Sequence, residues 1–441
     1  MKPLLDTLLK QLKRFPPSHH YRVAYSGGCD SHVLLHALAA IRDQLAATRL
    51  SALHINHGLA DEADAWAAHC EQVAADLGMA IQIVDVDAMG EAGDSPEAAA
   101  RQARYHAFEK IMQEGEGLLL AHHQDDQAET LLLQLFRGAG VRGLAAMPHC
   151  VTFSRGWLGR PLLGLCRQQL RDYAQAADLS WIEDPGNQSM DFDRNFLRHT
   201  VMPALLPRWP ALGQTLSRAA EHQASAGRLL DELAAADLKG IAGTRRDCLS
   251  ISALRLLSRE RQDNVLRYWI RMQGGSPPST RQLQRLHAEV LAARDDAQPQ
   301  LDWAGHRIRR YRDDLYLLPV QAPEYQSLYW DLNGGLNLPD GRCLSIKQTL
   351  GEGLQAALQG RRDIAVRFRQ GGEVCRPAGR KQTHRLKTLY QEWGVPPWER
   401  ERIPLIYVGE EIAQVVGYCV CEGWQAGKDE DGLVITDSPQ A

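Results

Sequence analysis

Six residues near the start of the chain, Ser26-Gly27-Gly28-Cys29-Asp30-Ser31, have the types and order needed to hold an anion. The short run Arg22-Val23-Ala24-Tyr25 precedes them, and the apolar-periodic segment Val33-Leu34-Leu35-Ala37-Leu38 follows. That order predicts strand, tight turn, helix. Two glycines let the turn bend through conformations closed to other residues, so that successive N–H groups converge on a phosphate. The positive end of the helix dipole falls at the same place. Ser26 and Ser31 add hydroxyl donors, whereas the Asp30 carboxylate repels a phosphate unless a cation lies between them, which makes Asp30 a candidate Mg²⁺ ligand. An ordinary Gly-Gly turn with a Ser/Asp-capped helix accounts for the same six residues. The loop is not GxxxxGK[ST], and it has no lysine to grip a transferred γ-phosphate.

A second constellation is His122-His123-x-Asp125-Asp126-x-x-Glu129-Thr130. Asp126, Glu129 and Thr130 share one face of a helix start. An acid-rich helix N-terminus explains the aspartates through the dipole but not two histidines closing a buried strand. Two chemical readings stand beside it. One is a zinc site completed by His54 or His57, although no compact ligand spacing supports it. The other is an acidic pocket that binds a cationic substrate, shares the Mg²⁺ and accepts a proton from an attacking amine. Further on, Arg194 and Arg198 in Arg194-Asn195-Phe196-Leu197-Arg198 lie on one helical face. They suit a phosphate or a transition-state charge, or else a plain helix start. Gly138-Ala139-Gly140-Val141-Arg142-Gly143 satisfies GxGxxG but follows a helix and opens no βαβ unit, so it is read as a mobile connector carrying Arg137 and Arg142.

The elements that must position these groups alternate. Strands are predicted at Leu50–Asn56, Ile81–Val86 and Leu118–Ala121, and helices at Asp61–Leu77, from Ser95-Pro96-Glu97 through Arg101, Arg104 and Tyr105, and at Asp125–Phe136. Repeated βα units predict a parallel sheet with ligands at the carboxyl ends of its strands. The polar clusters Ser26–Ser31, His54 with Asn56-His57-Gly58, and His122–Asp126 all fall at those ends. A helix within Pro161–Ala177 and one from Arg194 close this region.

The chain has 441 residues, 44% hydrophobic and 24% charged, the balance of a globular protein of two or three domains. No apolar run is long enough to span a bilayer, no export signal is evident, and Met1–Lys13 reads as an amphipathic packing helix. The nine cysteines lack CxxC pairs, their one close pair being Cys419-x-Cys421, and they read as reduced cytosolic thiols, which also empties the Asn187-Gln188-Ser189 sequon of meaning. The net charge of −4 hides a partition: −9 over residues 1–193, +8 over 194–310 and +6 over 361–402. Basic regions after an acidic one suggest a polyanionic partner, or alternatively a solvated arginine-rich surface.

Helices are predicted at Leu212–Leu238, Ser252–Met272 and Thr280–Ala293, then a hairpin of Arg307–Arg312 and Leu315–Pro319 around Asp313-Asp314. Strands and linker continue to about Gly360. A small unit from Arg361 has strands at Ile364–Phe368, Leu405–Val408 and Ile412–Val416, with a helix at Leu386–Trp393. Tyr390, Trp393 and Trp398 either stack on RNA or form this unit's core. The resulting division is 1–210, 211–345 and 361–441.

The loop resembles the SGGxDS pyrophosphate loop of the ATP pyrophosphatases, and the chain as a whole resembles the bacterial tRNA(Ile)-lysidine synthetases. The resemblance is carried by Ser26–Ser31, His54-Ile55-Asn56-His57-Gly58-Leu59, Ala100-Arg101-x-x-Arg104-Tyr105, His122–Thr130, Arg137-Gly138-x-Gly140, Arg194-Asn195-x-x-Arg198, Arg367-Phe368-Arg369-Gln370-Gly371-Gly372-Glu373 and Trp393-Gly394-Val395-Pro396-Pro397-Trp398. It implies a parallel-sheet, adenine-nucleotide alpha-hydrolase-like α/β domain, then a mainly helical domain and a small α+β domain, both contacting tRNA. It also implies a cytoplasmic ligase. ATP adenylates the 2-carbonyl oxygen of the wobble cytidine in an isoleucine tRNA with a CAU anticodon, and the ε-amine of free lysine displaces AMP. The product, lysidine, decodes AUA. On this reading Ser26, Gly27, Gly28, Cys29, Asp30 and Ser31 hold the nucleotide, with Cys29 at the variable position and without chemistry. Asp30 holds Mg²⁺, Asp126 and Glu129 receive the lysine ammonium groups, and Arg194 with Arg101 counters charge. A homodimer is admitted. The runner-up is a tRNA thiolase of the same superfamily, disfavoured by the missing CxxC; a GMP- or NAD-synthetase-like amide ligase and a non-catalytic tRNA binder stand further back.

Overall fold

In a computed structural model the described residues are 1–45, 48–58, 62–87, 96–245, 247–294, 297–320 and 325–439. They form two compact units, Met1–Leu233 and Ala234–Ala441, divided inside the helix Leu212–Gly240.

Unit 1 is built on one six-stranded sheet. Its elements are α1 (Lys2–Leu12), β1 (His20–Ala24), α2 (Cys29–Ala40), β2 (Arg49–Asn56), α3 (Ala63–Asp76), β3 (Ala80–Asp85), α4 (Pro96–Ile111), β4 (Gly117–Leu119), α5 (Gln124–Phe136), α6 (Val141–Leu144), β5 (Cys150–Phe153), β6 (Gly156–Gly159) and α7 (Arg167–Ala176). The strand order is β3-β2-β1-β4-β6-β5. β1 pairs in parallel with β2 on one side and β4 on the other. From β1 the chain first moves one way and later returns to build the other half, so the β1/β4 gap is the topological switch point, where the ends of the strands splay apart and ligands enter. α2 is apolar on all sides and buries Val33, Leu34, Leu35 and Leu38, and α1 packs through Leu4, Leu8 and Leu12.

The expected βα alternation is present, with three differences. The sheet is not wholly parallel: β5 and β6 form an edge hairpin in which β5 runs antiparallel, an element hidden in the four-residue run Gly156-Trp157-Leu158-Gly159. The Gly138–Gly143 stretch is more than a connector, because Gly140 opens the one-turn helix α6 and Arg142 pairs with Asp231. The third is the helix from Asp193, which passes through a π-helical stretch, Leu197–Val201, before ending at Leu205. Leu59, Asp61 and Ser95 lie outside the described residues.

In unit 2 the predicted helix Ser252–Met272 is two helices, Ile251–Leu254 and Arg259–Met272, separated at Leu256–Ser258, where Ser258 occupies the N-cap of the second. Thr280–Arg285 continues as a π-helical stretch, Leu286–Leu291. The hairpin His306–Tyr311 and Asp314–Pro319 is the middle of a four-stranded antiparallel sheet. The acidic stretch before Gly360 is not a linker: Arg342–Leu350 pairs along its whole length with Asp431–Pro439, so a boundary at 361 falls inside one hydrogen-bonded unit. Tyr390 is fully buried and Trp393 stacks on Tyr418 with ring centroids 5.1 Å apart, so these two aromatics serve the core.

Candidate active site

The loop after β1 and the segment after β4 face each other across the switch point. Gly27 has φ +83°, a conformation that requires glycine, and its carbonyl accepts a hydrogen bond from Ile182 N–H at 3.0 Å. Gly28 instead has φ −75° and ψ 162° and caps α2; any residue adopts that geometry, so of the two adjacent glycines only the first is needed for the bend. The Ser31 hydroxyl closes the loop on itself, donating to Gly28 O at 3.0 Å and accepting from Ser26 N–H at 3.2 Å, with Ser26 Oγ 3.1 Å away. Cys29 begins α2. Burial first, and Asp30 next, push its thiol up to about 11, so it is protonated and inert.

Asp30 stands in the first turn of α2 with 38% of its side chain exposed. His123, from the β4 side, places Nε2 3.3 Å from Asp30 Oδ2 and 3.5 Å from Asp126 Oδ2. The His123 Nδ1 accepts from Asp125 N–H at 3.2 Å, which leaves Nε2 as the protonated nitrogen facing both carboxylates. Burial opposes a charge on this ring, but Asp30 and Asp126 outweigh it and raise the imidazole above its usual value.

Asp126 and Glu129 are not an open acidic pocket. Asp126 Oδ2 accepts His123 N–H at 3.0 Å, a capping box, and Oδ1 lies 3.3 Å from an N–H group of both Arg194 and Arg198. Glu129 is 2% exposed. Its Oε2 accepts from Arg194 Nε at 2.8 Å, and Arg198 binds it through two nitrogens at 2.8 and 2.9 Å, with Arg167 3.4 Å away. Burial alone would raise both carboxyls; His123 and Arg194 instead draw Asp126 down to about 2, and Arg198 and Arg194 hold Glu129 below its usual value. The two carboxylates expected to receive lysine ammonium groups thus already contact guanidinium groups, Asp126 through Oδ1 and Glu129 through both oxygens. They hold Arg194 and Arg198, whose side chains keep 24% and 20% exposure. Thr130 merely donates back to Asp126 O.

His122 accepts from Arg160 Nε at 3.3 Å and is pushed down to about 3, first by burial and then by Arg160 and Arg194 against the pull of Asp126, so it is neutral. Sequence reasoning missed Arg160 and Arg167. No local motif surrounds them; Arg167 is placed by Asp125, whose carboxylate caps α7 by accepting Arg167 N–H at 2.8 Å. Arg101 stacks on Tyr105, 4.8 Å above the ring. His54 is spent on Tyr25 O, and Asn56 ties β2 to Asp85. Among the described residues the histidines form no metal-ligating group, which removes the zinc reading here.

The contacts thus run without a gap from the phosphate loop through Asp30, His123 and Asp126 to two arginines clamped on Glu129. The chain matches the model of a PP-loop domain over residues 2–205, a TilS substrate binding domain over 249–316 and a TilS substrate C-terminal domain over 364–436. A tRNA(Ile)-lysidine synthase of Coxiella burnetii is 44% identical over 437 residues, covering 98% of this chain and 96% of its own. That of Serratia proteamaculans is 45% identical, covering 95% and 96%, and that of Methylococcus capsulatus 43%, covering 91% and 92%. The chain belongs to the tRNA(Ile)-lysidine synthase family. Membership makes it an ATP-using ligase of the PP-loop fold, and the lysidine synthase framework accounts for a pyrophosphate loop that lacks a Walker lysine.

Proposed function

We propose that the chain joins free lysine to the 2-carbon of the wobble cytidine in a CAU-anticodon isoleucine tRNA, giving lysidine and AUA decoding. The cytidine 2-carbonyl oxygen attacks the α-phosphorus of ATP and pyrophosphate leaves into the Ser26–Ser31 loop. The ring carbon is then electrophilic, and the lysine amine displaces AMP without a covalent enzyme intermediate. The wobble base is unpaired and enters a pocket at modest cost.

The observation that carries this reading is the pair Arg194–Arg198 held by Glu129 beside Asp126, joined through His123 to Asp30 at the phosphate loop. Cations fixed in advance, rather than recruited, suit the charge that develops as pyrophosphate departs. Asp30 fits Mg²⁺, an ion that keeps most of its waters and takes one or two carboxylates; when bound it neutralises pyrophosphate charge. With Glu129 and Asp126 committed, the lysine carboxylate would meet the exposed edges of the arginines, and its ammonium the partly exposed Asp125. Cys29 at about 11 and Cys70 at about 12, both raised by burial, are poor nucleophiles, which counts against the thiolase alternative. Residues 1–210 would hold ATP and the chemistry, and the basic parts of 211–345 and 361–441 would hold the tRNA through its phosphates, in the cytoplasm. No described helix is long and apolar enough to cross a membrane.

The test is ATP-dependent incorporation of labelled lysine into CAU-anticodon tRNA with matched release of AMP, comparing the unaltered chain with Asp30→Ala. Incorporation that falls at least about a hundredfold in the variant supports the reading. Sulfur incorporation, or tRNA binding without product, overturns it.

A further inference from the structure

Three thiols meet in unit 2, in the same core as Tyr390, Trp393 and Tyr418. Cys375 lies on the two-residue strand Val374–Cys375, Cys419 on the strand Cys419–Val420, and Cys421 immediately after it. Their sulfurs all lie within 4.8 Å of one another, the sole group of three or more potential metal ligands converging among the described residues. Cys375 and Cys421 are buried and Cys419 is half-buried. A tetrahedral zinc with Zn–S bonds of about 2.3 Å sets its sulfurs about 3.8 Å apart, inside that spread.

A fourth donor, His384, stands outside that 4.8 Å group but is in register with it. Val374–Cys375 pairs antiparallel with His384–Arg385, and Cys375 sits directly opposite His384, so both side chains rise from one face of the ribbon. The surrounding backbone is already fixed: Ala378 N–H donates to Val420 O at 2.9 Å and Glu422 N–H to Arg376 O at 2.7 Å.

We propose that Cys375, Cys419, Cys421 and His384 form a closed zinc(II) site that staples the hairpin 374–385 to the strand carrying Cys419. Three thiolates and an imidazole are a soft donor set that selects zinc over Mg²⁺ or Ca²⁺, and four protein ligands leave no open position, so the site is structural. Binding releases the thiol protons to solvent and leaves one net negative charge. The hairpin's own strands have two residues each, so the metal would add to the backbone hydrogen bonds that already tie it to the Cys419 strand. It also carries Arg376, Arg380, Lys381 and Arg385 with no acidic residue between 374 and 385, so the metal would hold a basic loop in one shape.

The full-length chain, purified under reducing conditions without chelator, is the sample. The proposal expects one zinc per chain by elemental analysis, and after metal removal one equivalent of Co²⁺ giving the visible bands of a tetrahedral thiolate site. Cys419→Ser loses both signals, and His384→Ala weakens zinc binding more than about tenfold. In the unaltered chain, zinc should shield Cys375, Cys419 and Cys421 from alkylation, and chelation should expose them, as read by mass spectrometry. This reading stands even where a cysteine variant misfolds. A chain that takes up neither metal, uptake undiminished in Cys419→Ser, thiols alkylated equally with and without zinc, or a Cys375 disulfide to Cys419 or Cys421 in the reduced preparation would each overturn the proposal.

Discussion

The two ends of β1 and β4 in unit 1 each hold a buried carboxylate among nitrogen donors, yet the two clusters differ in what they leave exposed. Where β1 and β4 begin, Glu116 accepts from His20 Nδ1 at 2.7 Å, from Arg22 at 2.7 and 3.0 Å and from Gln113 N–H at 2.9 Å. His20 in turn reaches Ser51 on β2 at 2.7 Å, so the cluster ties strand starts together and has nothing left to offer. Where the same strands end, Glu129 is equally saturated but its partners are not: Arg194 and Arg198 keep exposed surface, as does Asp30 beyond His123. A closed charge cluster holds a fold. One whose buried member holds partly exposed arginines leaves charge at the surface.

That contrast is open to attack, beginning where the effect is largest. Arg194→Ala should lower lysine incorporation by about a hundredfold to a thousandfold with little change in melting temperature, the cost of removing one preorganised charge. Retained activity would make the upper cluster as structural as the lower. Glu129→Gln should release both arginines and lower kcat/KM for ATP and for lysine together, by about tenfold or more. Loss confined to lysine would restore Glu129 as the amine receptor. Glu116→Gln should leave lysine incorporation unchanged while costing about 1–3 kcal/mol of stability in denaturant unfolding, the price of an unsatisfied buried group. The smallest effect concerns pH. Glu116 falls from an ordinary 4.5 to about 2, because Arg22, the Gln113 N–H and His20 outweigh the burial that would raise it. A depressed carboxyl stabilises fully above its unfolded value and loses that contribution as pH drops from about 4.5 through about 2. Unfolding free energy measured across that window should decline in the unaltered chain, and Glu116→Gln should flatten part of the slope.

The sequence was most informative where chemistry and chain direction coincide. Ser26–Ser31 between an apolar run and a periodic helix, and His122–Asp126 after Leu118-Leu119-Leu120, were legible as strand ends because both cues are local. Glu129 was legible as a site residue but its contacts were not, since the guanidiniums that reach it arrive from Arg194 and Arg198 after α6, β5, β6 and α7. Long-range pairing hid more. Cys375 has no neighbouring cysteine in sequence, and the partners of Arg342–Leu350 come from Asp431–Pro439, so the first looked like a stray thiol and the second like part of a linker. The edge hairpin at Cys150–Gly159 was missed for a simpler reason: strands of four residues interrupted by glycine carry no period to count.

The nine-pair ladder between Arg342–Leu350 and Asp431–Pro439 encloses everything from 351 to 430 as a loop tied at its neck. A protease that nicks the basic turn 376–383 would therefore not divide this region. The two pieces would co-purify as a non-covalent pair, part only on denaturation, and find each other again on dilution, much as a protein made from two separately expressed halves does.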